Sequence, residues 1–121
     1  MSQITTHILD ISIGKPAANV EVRLYSVDGH TGAMGPELGR GRTNQDGRVT
    51  DLLDGETILD EGNYQLVFEV APYYESLNTE SFYPQVTIAF KVAASQSGQP
   101  AEHYHVPLLL SPFGYSTYRG S

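Results

Sequence analysis

The segment NVEVRLYSV, residues 19–27, alternates between apolar and polar side chains with a period of two. Val20, Val22 and Leu24 are the apolar members of the alternation. Successive side chains of a strand point to opposite faces of its sheet, so this period is typical of a strand with one buried face. The segment therefore predicts a strand whose three apolar side chains face a core.

Strand patterns recur on both sides of this segment. They lie in QITTHILDI (3–11), GNYQLVFEV (62–70), FYPQVTIAFKVA (82–93), EHYHVPLLL (102–110) and YSTYRG (115–120). One short helix is expected in APYYESLN (71–78), entered through Pro72, because proline is well tolerated in the first turn of a helix. Short strands at intervals of about ten residues, with a single short helix, predict an all-β sandwich.

Two connecting segments complete the predicted outline. DGHTGAMGPELG (28–39) is rich in glycine and polar residues and predicts an excursion between strands. Asp46-Gly47 lies between two short extended segments, and this dipeptide is a hairpin signal. A hairpin at this point would place Arg48 at the start of the next strand.

The composition limits what kind of protein this is. A chain of 121 residues favours one domain, spanning residues 1–121. The sequence has no cysteine, so disulfides and thiolate chemistry are excluded, and a metal would need histidine and carboxylate ligands. The net charge of −7 disfavours binding to nucleic acid.

A membrane anchor and secretion are not expected. No apolar run in the sequence approaches the roughly 20 residues that a membrane-spanning helix needs. The segment MSQITTHILD at the start has neither a basic leader nor an apolar signal core. A cytoplasmic location is therefore expected.

The histidines fall on strand faces that point away from the predicted core. His103 and His105 share one face of their strand, and the opposite face is the expected core face, with Tyr104, Val106, Leu108 and Leu110. His7 shares a strand face with Leu9, an apolar residue that would otherwise lie in water. The face that carries His7 is therefore expected to be covered, for example by another subunit.

The residues alone leave three interpretations of these histidines open. They can be ordinary surface or interface residues. A His-x-His pair with a third histidine can also hold zinc with one open coordination position. The third interpretation is metal-free hydrolysis, in which a neutral histidine takes a proton from water and a nearby arginine polarises the substrate. A serine nucleophile is disfavoured, since the Gly-x-Ser-x-Gly motif is absent from the sequence.

Several motifs resemble those of 5-hydroxyisourate hydrolases, the enzymatic branch of the transthyretin-like proteins. These motifs are THILD (6–10), TNQDGR (43–48), FYP (82–84), HYHVPLLLSP (103–112) and YRGS (118–121). The resemblance implies a transthyretin-type sandwich of two four-stranded sheets with one short helix. It also implies a homotetramer, assembled as a dimer of dimers, with active sites in the groove between dimers.

The resemblance further implies an activity and its residues. The reaction would be hydrolysis of 5-hydroxyisourate to 5-hydroxy-2-oxo-4-ureido-2,5-dihydro-1H-imidazole-5-carboxylate in urate degradation, without metal or organic cofactor. His7, Arg48, His105 and Ser121 would be catalytic, and His7, Arg48 and Tyr118 would bind substrate. One of the two histidines would activate water, and the other would contact substrate or orient that water.

Some features stay open beside this resemblance. His103 matches its motif without an assigned role, and the segment 28–39 is longer than the compact loop expected there. A small-molecule carrier on the same fold is one alternative function, and a zinc-dependent hydrolase that uses the histidine cluster is another.

Overall fold

The computed structural model describes residues 2–96 and 98–121, so the predicted domain 1–121 includes two positions outside the described residues. Two β-sheets pack against each other around one apolar core. The elements are β1 (Ile4–Asp10), β2 (Lys15–Pro16), β3 (Glu21–Val27), β4 (Met34–Arg42), β5 (Arg48–Val49), β6 (Gly62–Phe68), α1 (Val70–Ser76), β7 (Val86–Val92), β8 (Tyr104–Ser111) and β9 (Gly114–Thr117).

The first sheet is built around the parallel pair of β1 and β8. Its order is β2-β1-β8-β9, and β5 also pairs with β1. The second sheet is antiparallel and has the order β4-β3-β6-β7. The predicted sandwich of two sheets with a short helix is confirmed. The first sheet has a fifth strand because β2 and β5, of two residues each, pair with different parts of β1.

The core contains the residues that the alternation placed there. Val20, Val22 and Leu24 are each at most 1% exposed. The predicted core face of β8 is also buried, with Tyr104, Val106, Leu108 and Leu110. Burying a side chain of this size contributes about 1.5–3 kcal/mol, so this side of β8 is strongly fixed toward the core. The opposite side of β8 is consequently free to carry histidines.

The segment 28–39 departs from the prediction of an excursion between strands. Its second half lies in β4, which pairs with β3 at the edge of the second sheet. The pairing shifts register twice near Tyr25, and such bulges and edge positions accommodate glycine and proline. Gly39 lies so close to the Leu52 carbonyl oxygen that a Cβ would overlap it. The glycines therefore serve close packing in a strand, which their composition alone did not reveal.

The turn at Asp46-Gly47 is present, but it does not close a simple hairpin. Gly47 N–H donates to the Asn44 carbonyl at 2.9 Å, and Gly47 has a φ of +75°. The strand after the turn, β5, pairs with β1 in the first sheet, whereas β4 before it belongs to the second sheet. Arg48 does begin a strand, as predicted. The local pattern specified the turn, but it held no information on which sheet receives the next strand.

The helix α1 begins two residues before Pro72 and packs onto the first sheet. Tyr74 is 1% exposed, and the Tyr73 hydroxyl donates to Asp10 Oδ2 at 2.9 Å. Asp10 is the last residue of β1 and is fully buried. This hydrogen bond ties the helix to the end of the strand that carries His7.

Within the described part of the chain, no helix is long and apolar enough to cross a membrane.

Gly47 and Gly14 provide a matched test of the contact between the β5 turn and β1. Both glycines have a positive φ, but a Cβ on Gly47 would meet the Ile8 carbonyl oxygen, whereas one on Gly14 would meet open space. Each alanine variant should lose about 1–2 kcal/mol from backbone strain. Gly47→Ala should lose at least about 1 kcal/mol more because of the overlap. Urea denaturation of both variants measures the difference, and equal losses would contradict the packing described for Gly47.

Candidate active site

The strand register places Arg48 and His7 side by side on the outer face of the first sheet. Arg48 is the Cα partner of His7 in the β1–β5 pair, and Pro107 is the partner of His7 in the β1–β8 pair. Directly paired residues point to the same face of a sheet. The partners one step away, Val49 and Val106, are buried in the core. The guanidinium of Arg48 therefore shares the solvent side of the sheet with His7.

Thr5 joins the two histidines of the HYH motif. It is the Cα partner of His105 across the parallel β1–β8 pair. Its Oγ1 lies 2.8 Å from His105 Nδ1 and 3.0 Å from His103 Nε2, so one hydroxyl is within hydrogen-bond distance of both imidazoles. Thr5 as a whole is only 8% exposed.

The C-terminal segment folds back onto His105. Gly120 N–H donates to the His105 carbonyl at 2.8 Å, and a Cβ on Gly120 would lie 2.5 Å from His105 Cδ2. The preceding residue, Arg119, holds its guanidinium 4.6 Å from the centre of the Tyr104 ring, within the range of a cation–π interaction. These contacts fix the chain between Tyr118 and Ser121 beside the histidines.

These residues enclose a cleft of about 490 Å³, a volume within the usual range of small-molecule sites. It is lined by Thr5, Thr6, His7, Arg48, Thr50, His103, His105, Tyr118, Gly120 and Ser121. All five residues predicted for catalysis or substrate binding therefore lie in one place, together with His103. Their chemical roles remain predictions.

The environment of the cleft favours neutral histidines. Burial, and then the positive charge of Arg48, lower the pKa of His7 below its usual value of 6.5. The pKa of His105 is lowered by burial first, then by Arg48, His103 and His7. Both imidazoles are therefore mostly uncharged at neutral pH. A neutral imidazole has a free nitrogen lone pair and can accept a proton from water.

The sequence patterns did not single out Thr5, Gly120 or Arg119. A signal for Thr5 was available, since it is two residues from His7 and must lie on the same strand face. Its partnership with His105 depends on the parallel register of β1 and β8, which no local pattern specifies. Gly120 is needed because the backbone touches an imidazole, and this contact exists only in the folded chain.

The surroundings of the histidines bear on whether the cleft could hold a metal ion. Across residues 2–96 and 98–121, no group of three or more His, Cys, Asp or Glu side chains is arranged to hold one. Two of the ring nitrogens, His103 Nε2 and His105 Nδ1, face the Thr5 hydroxyl. Arg48 places a positive charge near His7 and His105, which opposes a second cation there.

The two-sheet sandwich and the histidine–arginine cleft on its outer face place the chain in the transthyretin-like class of proteins. A model of the HIUase/Transthyretin family matches residues 4–120, and the chain belongs to this family. The structure of Klebsiella pneumoniae 5-hydroxyisourate hydrolase is similar, with a TM-score of 0.79, 35% identity and 98% of each chain covered.

Two curated relatives extend this comparison. The 5-hydroxyisourate hydrolase of Salmonella dublin is 42% identical over 98% of this chain and 80% of its own length. The uric acid degradation bifunctional protein TTL of Arabidopsis thaliana is 44% identical over 98% of this chain. The present chain spans 37% of the length of that plant protein.

The charge effect of Arg48 can be measured directly. His7 and His105 should titrate below pH 6.5, and Arg48→Met should raise the pKa of both, because a neighbouring positive charge is removed. NMR titration of the imidazole Cε1 protons follows each ring. Arg42→Met is the matched control, since Arg42 lies at the end of β4 in the second sheet. Unchanged pKa values in Arg48→Met would rule out the electrostatic coupling.

Proposed function

We propose that this chain is a 5-hydroxyisourate hydrolase of urate degradation and acts without a metal. The observation that carries the proposal is the cleft in which the two histidines of lowered pKa stand beside Arg48. Relatives named 5-hydroxyisourate hydrolase align with nearly the whole chain, which adds support. The product is 5-hydroxy-2-oxo-4-ureido-2,5-dihydro-1H-imidazole-5-carboxylate.

The first step is attack of water on a ring carbonyl of the substrate. One of His7 and His105 accepts a proton from the water as the new C–O bond forms. The other histidine hydrogen-bonds the substrate or orients the water. A base that is neutral at working pH, with a pKa not far below it, suits this step and typically accelerates it by about 10²–10⁴-fold.

Arg48 stabilises the charge that develops on the attacked carbonyl. As water adds, the carbonyl oxygen becomes an oxyanion, and a guanidinium can donate two hydrogen bonds to it. The C–N bond of the ring then breaks, and the departing nitrogen takes the proton that the histidine received. The carbonyl carbon stays on the imidazole ring and becomes its carboxylate, and the nitrogen becomes part of the ureido group. The second proton of the water is released to solvent as the acid ionises, so one water molecule is consumed and the histidine is restored.

The C-terminal residues complete the substrate site in this proposal. Tyr118 lines the cleft and is 58% exposed in the isolated chain, which leaves its ring available to contact a bound ring. Ser121 lines the same cleft and is proposed to orient a histidine or the attacking water. The Gly120 contact with His105 keeps both residues at the reacting centre.

The proposed assembly is a homotetramer, a dimer of dimers, of chains that each fold as one domain. Strands β7 and β9 are the outermost strands at corresponding ends of the two sheets and offer edges for pairing. Exposed apolar side chains lie near the cleft-bearing sheet, with Ile11 at 54%, Ile13 at 52% and Phe113 at 64% exposed. Such a patch is typical of an interface.

A cytoplasmic location remains a prediction, to be tested by cell fractionation.

Removal of the base or of the oxyanion partner should abolish most turnover. His105→Ala and Arg48→Ala should each lower kcat by about a hundredfold or more. The assay generates 5-hydroxyisourate from urate with urate oxidase and follows its ultraviolet decay after addition of this protein. His30→Ala and Arg42→Ala are controls, because neither residue lines the cleft.

Three results of that experiment would contradict the proposal. Decay at the spontaneous rate with the wild-type protein would exclude the activity. Near-normal kcat in both cleft variants would exclude the assigned residues, provided that light scattering shows an unchanged assembly. About one zinc per chain, with activity lost to a chelator, would replace the mechanism with metal-assisted hydrolysis.

Truncation separates the role of the C-terminal residues from stability. Deleting Tyr118 to Ser121 should abolish measurable turnover, because two lining residues and the Gly120 support of His105 are removed. The loss of stability should be modest, about 1–2 kcal/mol, since the deleted side chains are largely exposed. Paired measurement of kcat and of urea midpoints tests this separation. Full activity after truncation would contradict it.

A further inference from the structure

The hydroxyl of Thr5 lies between two imidazoles of the cleft. Its Oγ1 is 2.8 Å from His105 Nδ1 and 3.0 Å from His103 Nε2. Thr5 itself is 8% exposed, so the hydroxyl has little access to water as a substitute partner. The geometry is fixed by the backbone, since Thr5 and His105 are paired residues in the unbroken β1–β8 register.

One hydroxyl has a single hydrogen, and this limits the tautomers that the two rings can adopt together when both are uncharged. A hydroxyl can donate one hydrogen bond and accept two. If Thr5 accepted from both rings, its own hydrogen would have no partner among the described residues and little access to water, which is costly for a buried donor. Thr5 therefore donates to one imidazole and accepts from the other. In the first arrangement Thr5 donates to His103 Nε2 and accepts from His105 Nδ1–H, so His105 Nε2 carries no proton. In the second arrangement the directions are reversed, and His105 Nε2 carries the proton.

Only the first arrangement leaves His105 with an available acceptor nitrogen. A base must present a lone pair to water, and in the second arrangement both nitrogens of His105 are already engaged. The hydrogen bond from Nδ1–H to Thr5 also persists when Nε2 takes up a proton. The ring therefore keeps its orientation during proton transfer. The imidazole of a catalytic triad is held in the same way, by a hydrogen bond from the nitrogen that does not exchange the proton.

The remaining side of the His105 ring is held by the C-terminal segment. Gly120 approaches Cδ2, the carbon bonded to Nε2, so the ring is fixed on opposite edges by Thr5 and by the backbone. The charged and titratable groups that act on His105 are Arg48 from β5, His7 from β1 and His103 next to β8. Each of them disfavours an added positive charge on the ring and so keeps the imidazole in its uncharged form.

We propose that Thr5 and His103 are positioning residues that hold His105 in the tautomer with its proton on Nδ1. In this arrangement His103 accepts a hydrogen bond from the Thr5 hydroxyl. The Thr5 oxygen is then left to accept a hydrogen bond from His105 Nδ1–H. This inference rests on the proposed function in assigning His105 as the base. The tautomer is a property of the folded chain and can be observed without substrate.

The direct test is the tautomer of His105, read from two-bond ¹⁵N–¹H correlation spectra at a pH where the ring is neutral. The wild-type protein should show Nδ1–H. In Thr5→Val, which keeps the shape and removes the hydroxyl, His105 should shift toward Nε2–H, the form that free histidine prefers. In His103→Ala the Thr5 hydroxyl is free to donate to His105 Nδ1, and the same shift is expected. An Nε2–H tautomer in the wild type would overturn the proposal.

Kinetics provide the second readout. Thr5→Val and His103→Ala should lower kcat by about tenfold to a hundredfold with little change in KM, by analogy with other residues that orient a catalytic group. Thr5→Ser, which restores the hydroxyl, should recover most of the lost rate. The double variant Thr5→Val/His103→Ala should be no slower than the slower single variant, because both act through one chain of hydrogen bonds.

Controls separate this proposal from the function on which it rests. Thr87→Val makes the same change at an exposed position of β7 and should leave both readouts unchanged. If the wild-type protein fails to accelerate 5-hydroxyisourate decay but His105 still shows the Thr5-dependent Nδ1–H form, the proposed function fails and the tautomer assignment stands. Normal kcat and an unshifted tautomer in Thr5→Val would overturn the role of Thr5. Because His103 is exposed, His103→Ala tests the chain of hydrogen bonds even if Thr5→Val folds poorly.

Discussion

The parallel pairing of β1 with β8 is the interaction on which the rest of the structure depends. It joins residues about a hundred positions apart, and its register runs without a shift from Ile4 and Tyr104 to Asp10 and Leu110. One face of the pair supplies buried residues to the core. The other face carries Thr5, His7 and His105. The same backbone hydrogen bonds thus fix the hydrophobic core and the cleft.

The neighbours of this pair add the charged and polar parts of the cleft. On one side, β5 brings Arg48 beside His7 through the tight turn at Gly47. On the other side, β9 leads into a segment that returns to His105 at Gly120. Each addition uses a glycine where backbone passes close to other atoms. The cleft is therefore assembled from four separate stretches of sequence.

Local pattern and nonlocal packing divide what the sequence could predict. The alternation in NVEVRLYSV and in the HYH segment was enough to assign core faces, because a period of two is a property of the strand itself. Local pattern failed for β4, because its glycines and proline are typical of a loop, whereas the structure has them in an edge strand. It also failed for the partner of β5, since a turn does not specify which sheet follows. The gathering of His7, Arg48 and His105 was expected from motif resemblance, whereas Thr5 as their link became visible only with the register.

The shared register has a consequence for how errors in folding would appear. A slip of one residue between β1 and β8 would exchange the two faces, sending Ile4 and Ile8 outward and Thr5 and His7 inward. Such a chain would lose its core and its cleft in the same event. A slip of two residues would instead keep each face on its side but pair Thr5 with Pro107 in place of His105, so the cleft depends on the register more strictly than the core does. Turnover would therefore report the alignment of β1 with β8 more sensitively than resistance to unfolding would.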